Sequence, residues 1–200
     1  MTDFLRDAEY RTESWQRRHS PEVITQLGVW RWKGIQKYAG RILDLICGKR
    51  VIDFGGFDGP LGFGSIVVDQ KAEYKTLDDV LGQVGVIFTS HTLEHLDDPA
   101  TWLHKALARL ANGGYLIVHV PAWTCERWRA DQYTNERQPT GHRHTFCLWP
   151  EVPCVVRTPE EWITITESIA FKWIDRLVPG NIELAEYVGD DSILVIARKP

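Results

Sequence analysis

The sequence predicts an α/β fold, a mostly parallel β-sheet with helices on both faces, and three observations carry that prediction. Short continuous apolar runs (residues 50–54, 65–69, 84–89 and 115–120) alternate with segments that are apolar at helical spacing, the signature of strands covered on both sides. The first run ends in a glycine-rich turn, Asp53-Phe54-Gly55-Gly56-Phe57-Asp58-Gly59. The second ends in a carboxylate, Asp69.

The elements follow in order. Residues 3–18 are polar with scattered aromatics and read as a surface helix, and Ser20-Pro21 reads as an N-cap with proline at the first helical position. Ile35, Tyr38, Ala39, Ile42, Leu43 and Ile46 fall on one helical face, and Gly48 is a natural stop. The three strands over residues 50–89 come next. Asp98-Pro99 then opens a helix with Leu103, Ala106, Leu107 and Leu110 on one face, closed by Asn112-Gly113-Gly114. After the strand at 115–120, Thr158 and Glu161 have capping-box spacing and predict another helix. Residues 171–177 and 192–198 read as the last two strands. With no repeat or linker, the chain reads as one domain: N-terminal helices over 1–48, a core over 50–121, an insertion over 122–157, and a helix and strands over 158–200.

Composition narrows the function. The 200 residues are 44% hydrophobic with nine tryptophans, a globular balance. A net charge of −4 offers no electrostatic footprint for nucleic acid or an anionic membrane. The first seven residues mix charge signs, unlike a signal peptide, and no apolar run is long enough to span a bilayer. Cys47, Cys125, Cys147 and Cys154 form no CxxC pair, so reduced thiols and a cytoplasmic setting are expected.

In such sheets ligands sit at the carboxyl ends of the strands. Glycines after the first strand let a ligand approach the main chain, and Asp69 can accept from both hydroxyls of a ribose. A dinucleotide fingerprint would need glycines at positions 57 and 60, where Phe57 and Pro60 stand, so a pyrophosphate cradle is not expected.

Together these pieces resemble the small-molecule, type 11-like branch of the class I S-adenosylmethionine-dependent methyltransferases. Residues Val51 to Gly59 resemble the family's first motif. The run from Val86 through Ser90-His91-Thr92-Leu93-Glu94-His95-Leu96-Asp97-Asp98-Pro99 to Ile117 resembles its fourth strand, loop, helix and fifth strand. The resemblance implies a Rossmann-like sheet with an antiparallel C-terminal strand, S-adenosylmethionine as cofactor, and methyl transfer to a small-molecule acceptor, at oxygen. It also implies roles. Gly55, Gly56, Phe57 and Gly59 pass beneath the methionine portion and Asp53 orients that loop. Asp69 holds the ribose, Leu77 and Asp78 border adenine, and Ser90 and His91 stand beside the sulfonium. One departure matters: only residues 60–64 separate Gly59 from the strand at Ser65, so the first crossover helix is reduced to a turn, as in some short members of the family.

The histidines admit several readings. His91-Thr92-Leu93-Glu94-His95 matches the HxxEH pattern of inverted zinc peptidases, which requires a helix, whereas these residues follow a buried strand directly. A divalent metal as in some O-methyltransferases is a further alternative, against which Glu94 and His95 simply brace the loop. No metal site is assigned. An oxygen acceptor needs a base, and a histidine suits it because its ordinary pKa is near neutrality. The candidates are His142, then His91, then His144; Trp123, Trp128, Tyr133 and Trp149 flank the last segment and could line an acceptor pocket. The competing expectation is a silent binding or scaffold protein on a degenerate methyltransferase fold. The acceptor and the oligomeric state stay open.

Overall fold

The computed structural model describes residues 28–122, 144, 146, 148, 154–157, 162–165, 181–189 and 191–200. Eight strands occur among them: β1 (Val51–Phe54), β2 (Ile66–Val68), β3 (Val84–Ser90), β4 (Leu110–Pro121), β5 (Cys154–Arg157), β6 (Trp162–Ile165), β7 (Ile182–Val188) and β8 (Ser192–Arg198). Six form one sheet in the order β2-β1-β3-β4-β8-β7, and β5 and β6 pair separately. β2, β1, β3 and β4 run parallel, while β8 is antiparallel to both β4 and β7. This is the expected mostly parallel sheet with an antiparallel C-terminal strand.

Side-chain alternation along the strands divides the core into two layers. On one face Ile52, Ile87, Leu116, Val118 and Val195 pack beneath Trp102, Leu103 and Ala106 of helix α3 (Pro99–Arg109). On the other, Val51, Val86, Phe88, Ile117 and Ile196 pack beneath Ile35, Ile42 and Ile46 of helices α1 (Lys33–Lys37) and α2 (Ala39–Ile46). Each fully buried Val, Leu, Ile or Phe side chain among them contributes about 1.5–3 kcal/mol. Helix α3 starts as its sequence dictates: Asp98 caps it, accepting from the Thr101 amide at 3.0 Å and hydroxyl at 2.6 Å, with Pro99 in the first turn.

The expected shortening of the first crossover is present, and the structure shows what fills the space. Residues 55–65 join β1 to β2 without a helix. The segment Gly28–Arg31 lies over them instead. Trp30 Nε1 donates to the Leu61 carbonyl at 2.8 Å, the Val29 amide to that of Pro60 at 3.4 Å, and Val29, Trp30 and Leu61 are all buried. Gly28 (φ +55°) touches the crossover so closely that a Cβ there would sit 2.1 Å from the Pro60 carbonyl oxygen.

Several expectations need correction. The helix over 35–46 breaks at Tyr38 (φ −110°, ψ 12°), whose hydroxyl bonds Glu186 on β7. The strand after α3 begins at Leu110, paired with Val84, rather than after Gly114. Of the helix expected from Thr158, residues 158–161 lie outside the described residues, and Trp162–Ile165 is a strand, in keeping with its β-branched and aromatic composition. The helices expected before residue 28 and the strand at 171–177 also lie outside the described residues. No helix among the described residues is long and apolar enough to cross a membrane.

One stability prediction arises here. Gly40, exposed near the start of α2, has nothing within 4 Å of a built Cβ. Gly40→Ala should therefore stabilise the fold by about 0.5 kcal/mol. The urea midpoint should rise with an unchanged slope, and a fall would show that the position is constrained.

Candidate functional site

A cavity of about 450 Å³ opens at the carboxyl ends of β1, β2 and β3. Its floor is Phe54, Gly55, Gly59 and Val68, and its walls include Asp69, Gln70, Lys75, Ser90, His91 and Thr92. Val29, from the segment that replaces the crossover helix, and Trp32, which directly follows that segment, line it as well. A second cavity of about 280 Å³ shares Phe54, Gln70, Lys75 and Leu96 with the first and adds Leu77 and Trp102. The rings of Phe54 and Trp102 are 4.8 Å apart and inclined at 46°.

The glycine turn is fixed from two sides. Gly55 takes φ +79°, its amide donates to the Val68 carbonyl at 2.8 Å, and a Cβ there would collide with Thr92 Oγ1 at 2.0 Å. At Gly56 a Cβ would lie 2.1 Å from the Asp53 carboxylate. Asp53 is itself buried and accepts from the Leu61 amide at 2.7 Å, so it holds both ends of the turn. Gly59 differs: its φ is ordinary and the nearest atom to a built Cβ is 3.8 Å away. The fold does not demand glycine there, although Gly59 lines the cavity.

Burial pushes the Asp53 carboxyl up to about 7, against the opposing effect of the Leu61 amide, and Asp69 adds to the rise. The folded state thus holds this proton more tightly than the unfolded chain, where aspartate titrates near 3.8. The resulting stability is fully present below the unfolded value and is lost as pH rises through about 7. Asp53→Asn should remove that slope. Urea midpoints of the two proteins from pH 5 to 8 should diverge in the variant's favour, and parallel curves would refute this.

Asp69 follows β2 directly and lies on the cavity wall, half-buried. Its Oδ1 accepts from the Lys71 amide at 2.9 Å, and no described residue occupies Oδ2. Leu77 is buried and lines the second cavity. Asp78 points elsewhere. It is exposed, pairs with Lys105 at 2.9 Å and Arg109 at 3.6 Å, and lines neither cavity. Lys105 holds its carboxyl below the ordinary range. Phe57 is 49% exposed and, with Gly56, faces a groove on the far side of the turn. The sequence motif alone could not separate the two sides of that turn.

His91 sits at φ +50°, a region uncommon for any residue but glycine. Its ring stacks on Trp32 with centroids 4.4 Å apart and 17° between planes. Nδ1 lies 3.4 Å from Glu94 Oε1, and Nε2 lies 3.3 Å from Ser192 Oγ. Glu94 is fully buried, and His95 Nε2 is 4.0 Å from the same carboxylate oxygen. Residues Leu93–His95 form one 3-10 turn, so His91 and His95 do not share an α-helical face. Among the described residues no group of three or more His, Cys, Asp or Glu could hold a metal ion. His144 is buried, with Nε2 2.7 Å from the Leu96 carbonyl oxygen, and does not line the cavity. His142 lies outside the described residues.

Three participants escaped the sequence reading. Val29 and Trp32 carry no motif. His119, fully buried with Nδ1 2.8 Å from Ser90 Oγ, interrupts the apolar run Leu116–Val120, and that interruption was a signal.

Comparison with known proteins shows the family. Residues 18–150, more than half of the chain, match a family described as a methyltransferase domain. The structure is similar to a Listeria monocytogenes protein assigned to the S-adenosylmethionine-dependent methyltransferases, with TM-score 0.50, 16% identity, and coverage of 84% of this chain and 97% of that one. It is also similar to S-adenosylmethionine-dependent methyltransferases from Mesorhizobium loti (TM-score 0.47, 13% identity, 83% and 98% covered) and Clostridium acetobutylicum (0.47, 10%, 84% and 91%). No curated protein sequence matches. The chain belongs to the methyltransferase-domain family, and its fold is that of the class I S-adenosylmethionine-dependent methyltransferases.

Proposed function

We propose that the chain transfers the methyl group of S-adenosylmethionine to an oxygen of a small-molecule acceptor. The observation that carries this reading is the cavity at the strand ends, lined together by Gly55, Gly59 and Asp69, one of whose carboxylate oxygens has no partner among the described residues. Asp69 would accept from the ribose hydroxyls. Gly55 and Gly59 would admit the methionine portion against the main chain. Asp53 and Gly56 hold the turn from behind, while Phe54, Leu77 and Trp102 offer apolar surface to adenine.

The cofactor supplies an activated methyl group on a sulfonium. What the chain supplies is alignment and a shielded site. The acceptor's proton would go to a base of the chain. His142 is the first candidate. His91, on the cavity wall with Glu94 behind it, is the second; its strained backbone and its stack on Trp32 support a functional role. His144 is the third candidate; it is buried, with Nε2 against the Leu96 carbonyl, and does not line the cavity. We place the chain in the cytoplasm as one domain acting on a small molecule rather than nucleic acid, in keeping with its charge of −4 and unpaired cysteine spacing.

The test is transfer of labelled methyl from S-adenosylmethionine to a panel of small hydroxylated acceptors and their amine counterparts. Label should enter the hydroxylated set, and replacing the true base by alanine should cost about 10²–10⁴-fold in turnover. If His142→Ala and His91→Ala both stay within a few-fold of wild type, the histidine-base mechanism is wrong.

A further inference from the structure

Ser90 and His119 occupy the same register position on neighbouring strands β3 and β4, with Ser90 Oγ 2.8 Å from His119 Nδ1. Ser90 lines the cavity, whereas His119 is fully buried behind it. The other ring nitrogen of His119, Nε2, has no hydrogen-bond partner among the described residues. Its ring meets His91 edge to face at 4.8 Å.

Burial, reinforced by His91, keeps this imidazole neutral, so it carries one N–H and one lone pair. With the proton on Nε2, a desolvated N–H would face no acceptor, which folded proteins tolerate less often than an under-used lone pair. With the proton on Nδ1, the ring donates to Ser90 Oγ and only a lone pair is left over. Ser90 Oγ then acts as acceptor toward His119. The Ser90 O–H has no other partner among the described residues and is left to the cavity.

We propose that His119 turns the Ser90 hydroxyl into the cavity as a hydrogen-bond donor, and that the methyl acceptor is held there through an oxygen lone pair. This rests on the methyl-transfer reading above. The strand order argues for the acceptor rather than the cofactor. Asp69 follows β2, the glycine turn leaves β1, and Ser90 ends β3, with β1 between the other two. At about 4.8 Å per strand, Ser90 stands roughly 10 Å from the carboxylate assigned to the ribose. That is past the few bonds separating ribose hydroxyls from sulfonium, where the acceptor must approach. A carboxylate, carbonyl or phenolate oxygen suits such a donor, whereas an ammonium group does not. His119 is a positioning residue, since it would reach the acceptor only through Ser90.

The experiment is nitrogen NMR of the protein labelled with ¹⁵N-histidine, with and without S-adenosylhomocysteine, titrated with acetate as the smallest carboxylate probe. The expected results are the Nδ1–H tautomer at His119 and an acetate-dependent shift of its signals that disappears in Ser90→Ala. In parallel, Ser90→Ala should leave the Kd for S-adenosylhomocysteine within twofold of wild type. An Nε2–H tautomer, or signals that ignore acetate, would overturn the proposal. A tenfold or greater loss of S-adenosylhomocysteine affinity in Ser90→Ala would also overturn it, assigning the donor to the cofactor. If wild type binds no S-adenosylhomocysteine, the methyl-transfer reading fails, while the tautomer and acetate response of the free protein still decide whether Ser90 presents a donor.

Discussion

Gly28→Ala should lower the melting temperature by roughly 6–12 °C, the equivalent of about 3 kcal/mol for a domain of this size. Two costs combine. A side chain at φ +55° in the left-handed region costs about 1–2 kcal/mol. The rest comes from a Cβ placed 2.1 Å from the Pro60 carbonyl oxygen, a main-chain atom that cannot rotate aside. Gly62→Ala separates the two, because Gly62 has φ +82° but nothing within 4 Å of a built Cβ. It should cost only about 1–2 kcal/mol. Equal effects at the two positions would mean that the N-terminal segment does not depend on its seat against the crossover. The consequence reaches the site, since Val29 on that segment and Trp32 just after it line the cavity. Gly28→Ala should weaken cofactor binding even at temperatures where the domain stays folded.

The second large effect is expected at Asp69. Hydrogen bonds to a charged group contribute about 1.5–3 kcal/mol each, so removing the carboxylate proposed to accept from two ribose hydroxyls should cost about 3 kcal/mol or more. Titration calorimetry with S-adenosylhomocysteine should show affinity reduced on the order of 100-fold in Asp69→Ala. The fold itself should be little affected, because the Asp69 carboxylate makes one local contact, with the Lys71 amide at 2.9 Å. Asp78→Ala serves as the contrast. Its ion pairs with Lys105 and Arg109 are on the surface, and affinity should stay within a few-fold of wild type.

What could be read from the sequence was what short-range pattern determines. The β3 strand, the Asp98 cap and proline start of α3, and the glycine turn after β1 all declare themselves within a few residues, and the structure contains each of them. The absence of a helix between β1 and β2 was legible for the same reason. What replaces it was not, because Trp30 meets Leu61 across 31 positions with no motif at either end. The break in the 35–46 helix has a similar origin: Tyr38 leaves the helix while bonding Glu186, 148 positions away. Within the site, Gly55, Gly59, Asp69, Ser90 and His91 reach the cavity wall as their strand-end positions implied. Asp78 does not, since a surface carboxylate chooses the nearest cations, and Lys105 and Arg109 lie on a helix remote in sequence.

Thermal unfolding with and without S-adenosylhomocysteine tests the central claim most directly. At a hundredfold excess over the dissociation constant, binding to the native state should add about 2.7 kcal/mol. That is a rise of roughly 5–10 °C for a chain of this length, and it should be lost in Asp69→Ala. A wild-type melting temperature unmoved by millimolar S-adenosylhomocysteine would contradict the account: the cavity between β1, β2 and β3 would then not be a cofactor site.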